Sequence, residues 1–221
     1  MYGINRPTIK EKILILVTEI IYLIIAYYLL FITYFKPGIS IGLFIALIIT
    51  ALRLTAMMFI WLPRGISWQE AIMNSIAFGI YYLGFPILMI TSNQDPNLIL
   101  LTIGWILFLG GSMLNTVSEL LRKSFKDNPV NQGKLYTGGL FKYAIHINYL
   151  GDCFWVLGLA FIASNIYSLF IPLGLFFVFV FEYIPKSDGY LQKKYGEQFT
   201  VYKQKTKKIN TVYLVNQFHK L

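Results

Sequence analysis

The sequence predicts an all-α fold, a multi-pass transmembrane helical bundle with about six spans. Apolar residues make up 57% of the 221 residues and charged residues only 13%, too little charge for a soluble domain of this length. The apolar residues also fall in blocks of about twenty, the length that crosses a hydrocarbon core. Both observations predict an integral membrane protein.

The predicted spans follow one another with short polar segments between them. They cover residues 13–35, 39–62, 71–91, 98–121, 148–164 and 167–184. Proline, glycine and asparagine mark turns at Lys36-Pro37-Gly38, Pro63-Arg64-Gly65, Asp95-Pro96 and Ser164-Asn165.

Basic residues accumulate in alternate polar segments, which orients the bundle. They precede the first span, cluster between the fourth and fifth, and fill the tail, whereas the opposite loops hold only Lys36. The positive-inside rule therefore predicts that both termini are cytoplasmic, in a bacterial plasma membrane or the endoplasmic reticulum. The net charge of +9 predicts contact with anionic membrane lipids rather than with nucleic acid.

One polar stripe lies at the end of the fourth span. Asn115, Glu119, Arg122 and Lys126 follow helical spacing and share one face of a helix. Ionisable groups at membrane depth are functional candidates, because they are expensive to bury. A structural ion pair at the helix end, from Glu119 to Arg122 or Lys123, is the alternative.

A second polar set, Asn148, Asp152 and Trp155, has the same spacing on the fifth span. Asp152 needs a partner there, which a basic group of the first stripe or a bound polar ligand would provide. The loop 127–147 between the two sets is rich in glycine, asparagine and lysine, which suits phosphate groups, although it matches neither a P-loop nor a Rossmann fingerprint. Together these features predict one cytoplasmic-side pocket for a large polar ligand.

Several runs in a fixed order carry a family resemblance. They are Asn115-x-x-Ser118-Glu119, Gly139-Leu140-Phe141-Lys142-Tyr143, Asn148-Tyr149-Leu150-Gly151-Asp152, Asp188-Gly189-Tyr190-Leu191 and Lys194-Tyr195-Gly196-Glu197-Gln198-Phe199, followed by Tyr202. Over residues 114–213 the chain resembles the C-terminal domain of steroid 5-alpha-reductases, above all a bacterial and eukaryotic branch in which His-Ile-Asn-Tyr is usual. It is also similar to sterol C14-reductases.

This resemblance implies an NADPH-dependent reductase of a lipid-soluble enone, steroid- or isoprenoid-like, whose active site faces the cytoplasm. Within a single membrane domain, residues 1–112 would form the substrate-side helices and residues 113–221 the cofactor-binding half. The implied cofactor-binding residues are Asn115, Glu119, Lys123, Lys126, Asn148, Tyr149, Asp152, Lys186 and Asp188.

The resemblance also implies two catalytic residues, Glu70, which follows Gln69, and Tyr82. For Glu70 the alternative is a first-turn acid that interacts with the helix dipole. No metal site is predicted, because two histidines, one cysteine and scattered acids do not form a ligand set.

Two other functions stay open. The chain also resembles S-adenosylmethionine-dependent membrane methyltransferases of the isoprenylcysteine or phospholipid type, at His146, Tyr149 and the Lys-Tyr-Gly-Glu run. Those enzymes usually carry an arginine where this chain has Ile145, and paired glutamates where it has Pro185-Lys186-Ser187-Asp188. These departures favour the reductase, as does Asp152, one residue after Gly151. The third possibility is a non-catalytic lipid-binding protein, because Ile145 could weaken the cofactor site.

Overall fold

A computed structural model describes residues 8–62, 64–92 and 97–206, and in these ranges the chain forms seven α-helical segments and no β-strand. The helices are α1 Ile9–Thr33, α2 Ile39–Trp61, α3 Trp68–Ile90, α4 Leu98–Asp127, α5 Ile147–Ile162, α6 Ile166–Tyr195 and α7 Glu197–Lys205. The predicted helical fold class is confirmed.

Five of these helices, α1 to α4 and α6, are long and apolar enough to cross a membrane. Helix α5 corresponds to the fifth predicted span and is also apolar, but it has only 16 residues. At 1.5 Å per residue it is about 24 Å long, somewhat less than the hydrocarbon core of about 30 Å. The chain is therefore an integral, multi-pass membrane protein, and the side on which each loop lies stays a prediction.

Two helices continue well beyond their predicted ends. Helix α4 runs to Asp127 rather than to residue 121, and α6 runs to Tyr195 rather than to residue 184. Pro185 does not stop α6, because it lies in the first turn after the π-helical turn Phe179–Tyr183. The predicted turn at Asp95-Pro96 and the tail lysines after Thr206 lie outside the described residues.

The chain divides into two compact units. The first consists of Met1–Gly110 and Phe154–Pro172, and the second of Gly111–Cys153 and Leu173–Leu221. Helices α4, α5 and α6 each contribute residues to both units. The predicted boundary between residues 112 and 113 lies close to the first break, whereas residues 154–172 join the first unit.

In the first unit, a buried carboxylate connects three helices. Glu19 of α1 is 1% exposed and accepts hydrogen bonds from Thr55 Oγ1 of α2 at 3.0 Å and Tyr82 Oη of α3 at 3.3 Å. Tyr82 lies in the π-helical turn Ile80–Gly84. Because an unsatisfied carboxyl group is costly at membrane depth, these bonds favour one register of the three helices.

Glycines allow α4 and α5 to approach closely. In the first unit, a Cβ atom on Gly158 would lie 2.4 Å from the Phe108 backbone nitrogen and 2.6 Å from the Gly104 carbonyl oxygen. In the second unit, a Cβ atom on Gly151 would lie 2.7 Å from the Asn115 backbone nitrogen. Backbone atoms cannot rotate away as side chains can, so only glycine fits at these two contacts.

We expect Gly158→Ala to lower the free energy of unfolding by about 2 kcal/mol or more, because the added methyl group overlaps backbone atoms of α4. The measurement is the melting temperature of the purified protein in mild detergent. Gly110→Ala is the matched control, since nothing lies within 4 Å of a Cβ atom at Gly110 in α4. Equal melting temperatures for the two variants would contradict the close approach.

Candidate functional site

The second unit collects polar side chains where α4 ends and α5 begins. Asn115 Nδ2 donates a hydrogen bond to the Asn148 carbonyl oxygen at 3.2 Å, and Asn148 Nδ2 donates to Glu119 Oε1 at 3.0 Å. Glu119 also forms an ion pair with Arg122. The structure thus brings together three residues that the sequence assigned to one pocket, and it contains the helix-end ion pair that was the structural alternative.

A second carboxylate in this unit, that of Asp188, has two partners. Asp188 Oδ1 shares a hydrogen bond of 2.9 Å with His146 Nε2, and Asp188 Oδ2 accepts one of 2.8 Å from Lys203 Nζ. The His146 and Asp188 side chains are only 16% and 18% exposed. His146 precedes α5, Asp188 belongs to α6 and Lys203 to α7, so this one carboxylate joins three segments.

Aromatic rings stack beside this contact. The His146 and Tyr149 rings are 5.3 Å apart between centroids and 4° from parallel, and the Tyr149 and Phe179 rings are 4.7 Å apart and 12° from parallel. Such ring faces can stack on a planar heterocycle or attract a cation. We call His146, Asp188, Lys203, Tyr149 and Phe179 the Asp188 site.

Two of the other residues assigned to cofactor binding form ion pairs of their own. Lys123 pairs with Asp127 and Lys186 with Glu182, each within one helix. Lys126 is exposed near the end of α4, and Asp152 is half-buried on α5. Trp155 of the second predicted set belongs to the first unit, where the Arg53 guanidinium lies 4.7 Å from its ring centroid.

The two predicted catalytic residues have different partners in the first unit. Glu70 forms a capping box with Ser67 at the start of α3 and an ion pair of 2.9 Å with Arg64. This is the local helix-start role that was the alternative for Glu70. Tyr82 instead donates to Glu19. A catalytic role for Glu70 and Tyr82 therefore stays a prediction.

Three residues of the Asp188 site, His146, Lys203 and Phe179, were absent from the predicted cofactor set. In the sequence, His146 stands out in the His-Ile-Asn-Tyr run and under the methyltransferase alternative, and Lys203 is one of many tail lysines. His146 and Asp188 are 42 positions apart, so helical spacing carries no signal for their contact. The only available signal was a histidine just before a span combined with an acid just before the Lys-Tyr-Gly run.

A small cluster of buried aromatic residues holds helix α7 in place. Tyr195, Phe199 and Tyr202 form a buried cluster against which Ile145 packs. The Tyr202 hydroxyl donates a 2.6 Å hydrogen bond to the Phe141 carbonyl oxygen. Burial raises the pKa of the Tyr202 phenol above its usual range, so the group stays protonated and can donate. This contact positions Lys203, the next residue in α7.

The fold and this site define a class: a multi-pass helical membrane protein with a polar site of carboxylates, aromatic rings and basic groups. A family model described as "Protein of unknown function (DUF1295)" matches residues 71–206, more than half of the chain, and the chain belongs to this family.

One curated relative is similar to part of the chain. The chain is 39% identical over 95 residues to "Probable O-methyltransferase ustE" of Ustilaginoidea virens, and the match covers 42% of this chain and 34% of that protein. The match thus spans about a third of the relative's length. No solved structure matches the chain.

We expect Tyr202→Phe to lower the free energy of unfolding by about 1–3 kcal/mol at neutral pH, because the buried Phe141 carbonyl oxygen loses its donor. Tyr143→Phe is the control, since Tyr143 is 60% exposed. Melting temperatures of both variants give the comparison.

A comparison of Tyr202→Phe with the unsubstituted protein at alkaline pH tests the raised pKa of Tyr202. A raised pKa stabilises the fold below the unfolded-state value of about 10 and ceases to do so as the pH rises through the folded-state value. Above pH of about 10, Tyr202→Phe should therefore lose less stability than the unsubstituted protein. An equal loss of stability with rising pH in the two proteins would contradict the raised pKa of Tyr202.

Proposed function

We propose that the protein is an S-adenosylmethionine-dependent membrane methyltransferase that acts on a lipid-soluble acceptor and binds its cofactor at the Asp188 site. The observation that carries the proposal is the His146–Asp188 contact with its stacked aromatic rings. The relative named as a probable O-methyltransferase supports it.

The residue types suit this cofactor. S-adenosylmethionine has a flat adenine ring, two positively charged groups and one carboxylate. Carboxylates and aromatic faces attract its cationic groups, the aromatic faces can also stack on adenine, and a lysine can pair with its carboxylate. Asp188, the stacked rings that end in Phe179, and Lys203 represent these three types within one site.

Charge balance favours this cofactor over NADPH. At the Asp188 site, the Lys203 ammonium group already lies beside the Asp188 carboxylate, so the charges of these two groups balance. A nucleotide with three phosphates needs an excess of positive charge, whereas S-adenosylmethionine has a small net positive charge. A site with balanced charges therefore suits S-adenosylmethionine better than NADPH.

The structure weakens two of the sequence arguments against methyl transfer. Asp188 lies in the segment where the resembled methyltransferases have paired glutamates. Its carboxylate contacts His146, a histidine that these enzymes share. Ile145 replaces their arginine and packs against the Tyr195 cluster, while Lys203 brings a cation to Asp188 from α7. The chain thus has an acid and a cation beside His146, from different positions in the sequence.

When bound, the cofactor would supply an electrophilic methyl group. In this arrangement Asp188 fixes the orientation of the His146 ring by a hydrogen bond to Nε2, and Lys203 neutralises the carboxylate. Glu119 and Asn148 provide hydrogen-bonding groups at the start of α5. An acceptor that dissolves in the bilayer would account for an enzyme embedded in the membrane.

A second candidate is an NADPH-dependent reductase of a lipid-soluble enone, as the resemblance to steroid 5-alpha-reductases implies. It is favoured by the buried amides of Asn115 and Asn148 beside Glu119, because amides and carboxylates can hydrogen-bond a nicotinamide or a ribose. Under this candidate Glu70 and Tyr82 keep their predicted catalytic roles, with Lys123, Lys126, Lys186 and Asp152 at the cofactor.

Separate titrations with S-adenosylmethionine and NADPH distinguish the two candidates. We expect S-adenosylmethionine to raise the melting temperature of the purified protein by mass action, and Asp188→Asn to weaken its apparent affinity about tenfold or more. Isothermal titration calorimetry gives the affinities. Glu182→Gln, which removes an exposed carboxylate from the same helix, should leave the affinity unchanged.

The alternative outcomes are equally specific. Stabilisation by NADPH alone would favour the reductase and contradict methyl transfer. Binding of neither cofactor would favour a non-catalytic lipid-binding protein. An equal loss of affinity in Asp188→Asn and Glu182→Gln would remove the Asp188 site from the proposal.

A further inference from the structure

A groove separate from the Asp188 site lies between α7 and the loop that precedes α5. Its volume is about 620 Å³, which is within the usual range for small-ligand sites. Lys142 and Thr137 line it from the loop, and Glu197, Tyr202, Lys205 and Thr206 line it from α7 and the residue after it. All of these residues belong to the second unit.

Two lysines from distant parts of the sequence line the groove. Lys142 ends the 3-10 turn Gly139–Lys142, and Lys205 ends α7. Two like charges beside one cavity repel each other unless an anion lies between them. Thr137 and Thr206 also line the groove, and ammonium and hydroxyl groups are both donors that phosphate oxygens accept from.

Two further features limit the ligand. The Glu197 carboxylate also lines the groove and reduces its positive charge, so a single phosphate fits better than a polyphosphate. Leu135 and Val201 give the groove an apolar part, which suits a phosphate attached to a carbon skeleton. The loop 127–147, whose glycine and lysine content is suited to phosphate groups, contributes Thr137 and Lys142 to the groove.

We propose that this groove binds an organic phosphate monoester, presented either by a membrane lipid headgroup or by a soluble molecule. The groove lies next to helices that cross the membrane, and the polar segments around it are basic, which favours the lipid source. The inference does not depend on methyl transfer, because its lining residues are not those of the Asp188 site.

Nanodiscs of defined lipid composition distinguish phosphate binding in the groove from a general attraction between a basic surface and anionic lipids. The protein is reconstituted in phosphatidylcholine alone, or with a minor fraction of phosphatidic acid or of oleic acid, which is anionic but has no phosphate. We expect phosphatidic acid to raise the melting temperature more than oleic acid does. The Lys142→Gln/Lys205→Gln double variant should lose this difference, and its apparent affinity for phosphatidic acid should fall about tenfold.

Lys134→Gln/Lys193→Gln is the matched control, because it removes two exposed lysines from the same unit outside the groove. Glu197→Gln should strengthen binding, since it removes the only carboxylate among the groove-lining residues. Titration with glycerol 3-phosphate in phosphatidylcholine nanodiscs identifies the source: saturable stabilisation indicates a soluble ligand, and its absence beside a phosphatidic acid effect indicates a lipid.

Three results would overturn the proposal. They are equal stabilisation by phosphatidic acid and oleic acid, equal losses in the groove variant and the control variant, and no stabilisation by either phosphate probe. The melting temperature of each variant in phosphatidylcholine alone verifies that it folds, so a loss of binding can be distinguished from a loss of structure.

Discussion

The two hydrogen bonds of the Asp188 carboxylate are the interaction on which the second unit depends. A carboxylate that is mostly removed from water needs a partner for each oxygen, and Asp188 obtains them from His146 and Lys203. These partners lie before α5 and in α7, so one charge fixes the positions of three segments. The Tyr202–Phe141 hydrogen bond and the aromatic cluster around it support the same arrangement.

The acidic side chains that are shielded from water have different kinds of partners in the two units. Glu19 in the first unit accepts from the hydroxyl groups of Thr55 and Tyr82, whereas Glu119 and Asp188 in the second unit pair with cations. At the Asp188 site the carboxylate is paired with Lys203, so this site has charges of both signs although the second unit as a whole is basic. A ligand of the Asp188 site should therefore have charges of both signs, which is the physical reason for preferring S-adenosylmethionine over a phosphate-rich nucleotide there.

Local patterns in the sequence predicted much of the fold and only part of the site. Composition and block length predict the spans, and helical spacing predicts that Asn115 and Glu119 share a face, because these signals act over a few turns. The His146–Asp188 contact joins residues 42 positions apart, and no local pattern encodes it. The predicted sixth span ended at residue 184, whereas α6 continues to Tyr195, because Pro185 fits the first turn after a π-helical segment and does not interrupt the helix. Conversely, the Ser67–Glu70 capping box is a local motif that was not among the sequence predictions, and the catalytic role of Glu70 stays a prediction.

The most direct test of the account is methyl transfer itself. Membranes from cells that express the protein are incubated with S-adenosylmethionine carrying an isotopic label in its methyl group, and the label is measured in the lipid extract. The account predicts label in an extractable lipid-soluble product, at a level far above that of membranes without the protein, and a loss of that label in Lys203→Gln. Label at the background level, together with oxidation of NADPH by the same membranes when an apolar enone is added, would contradict it.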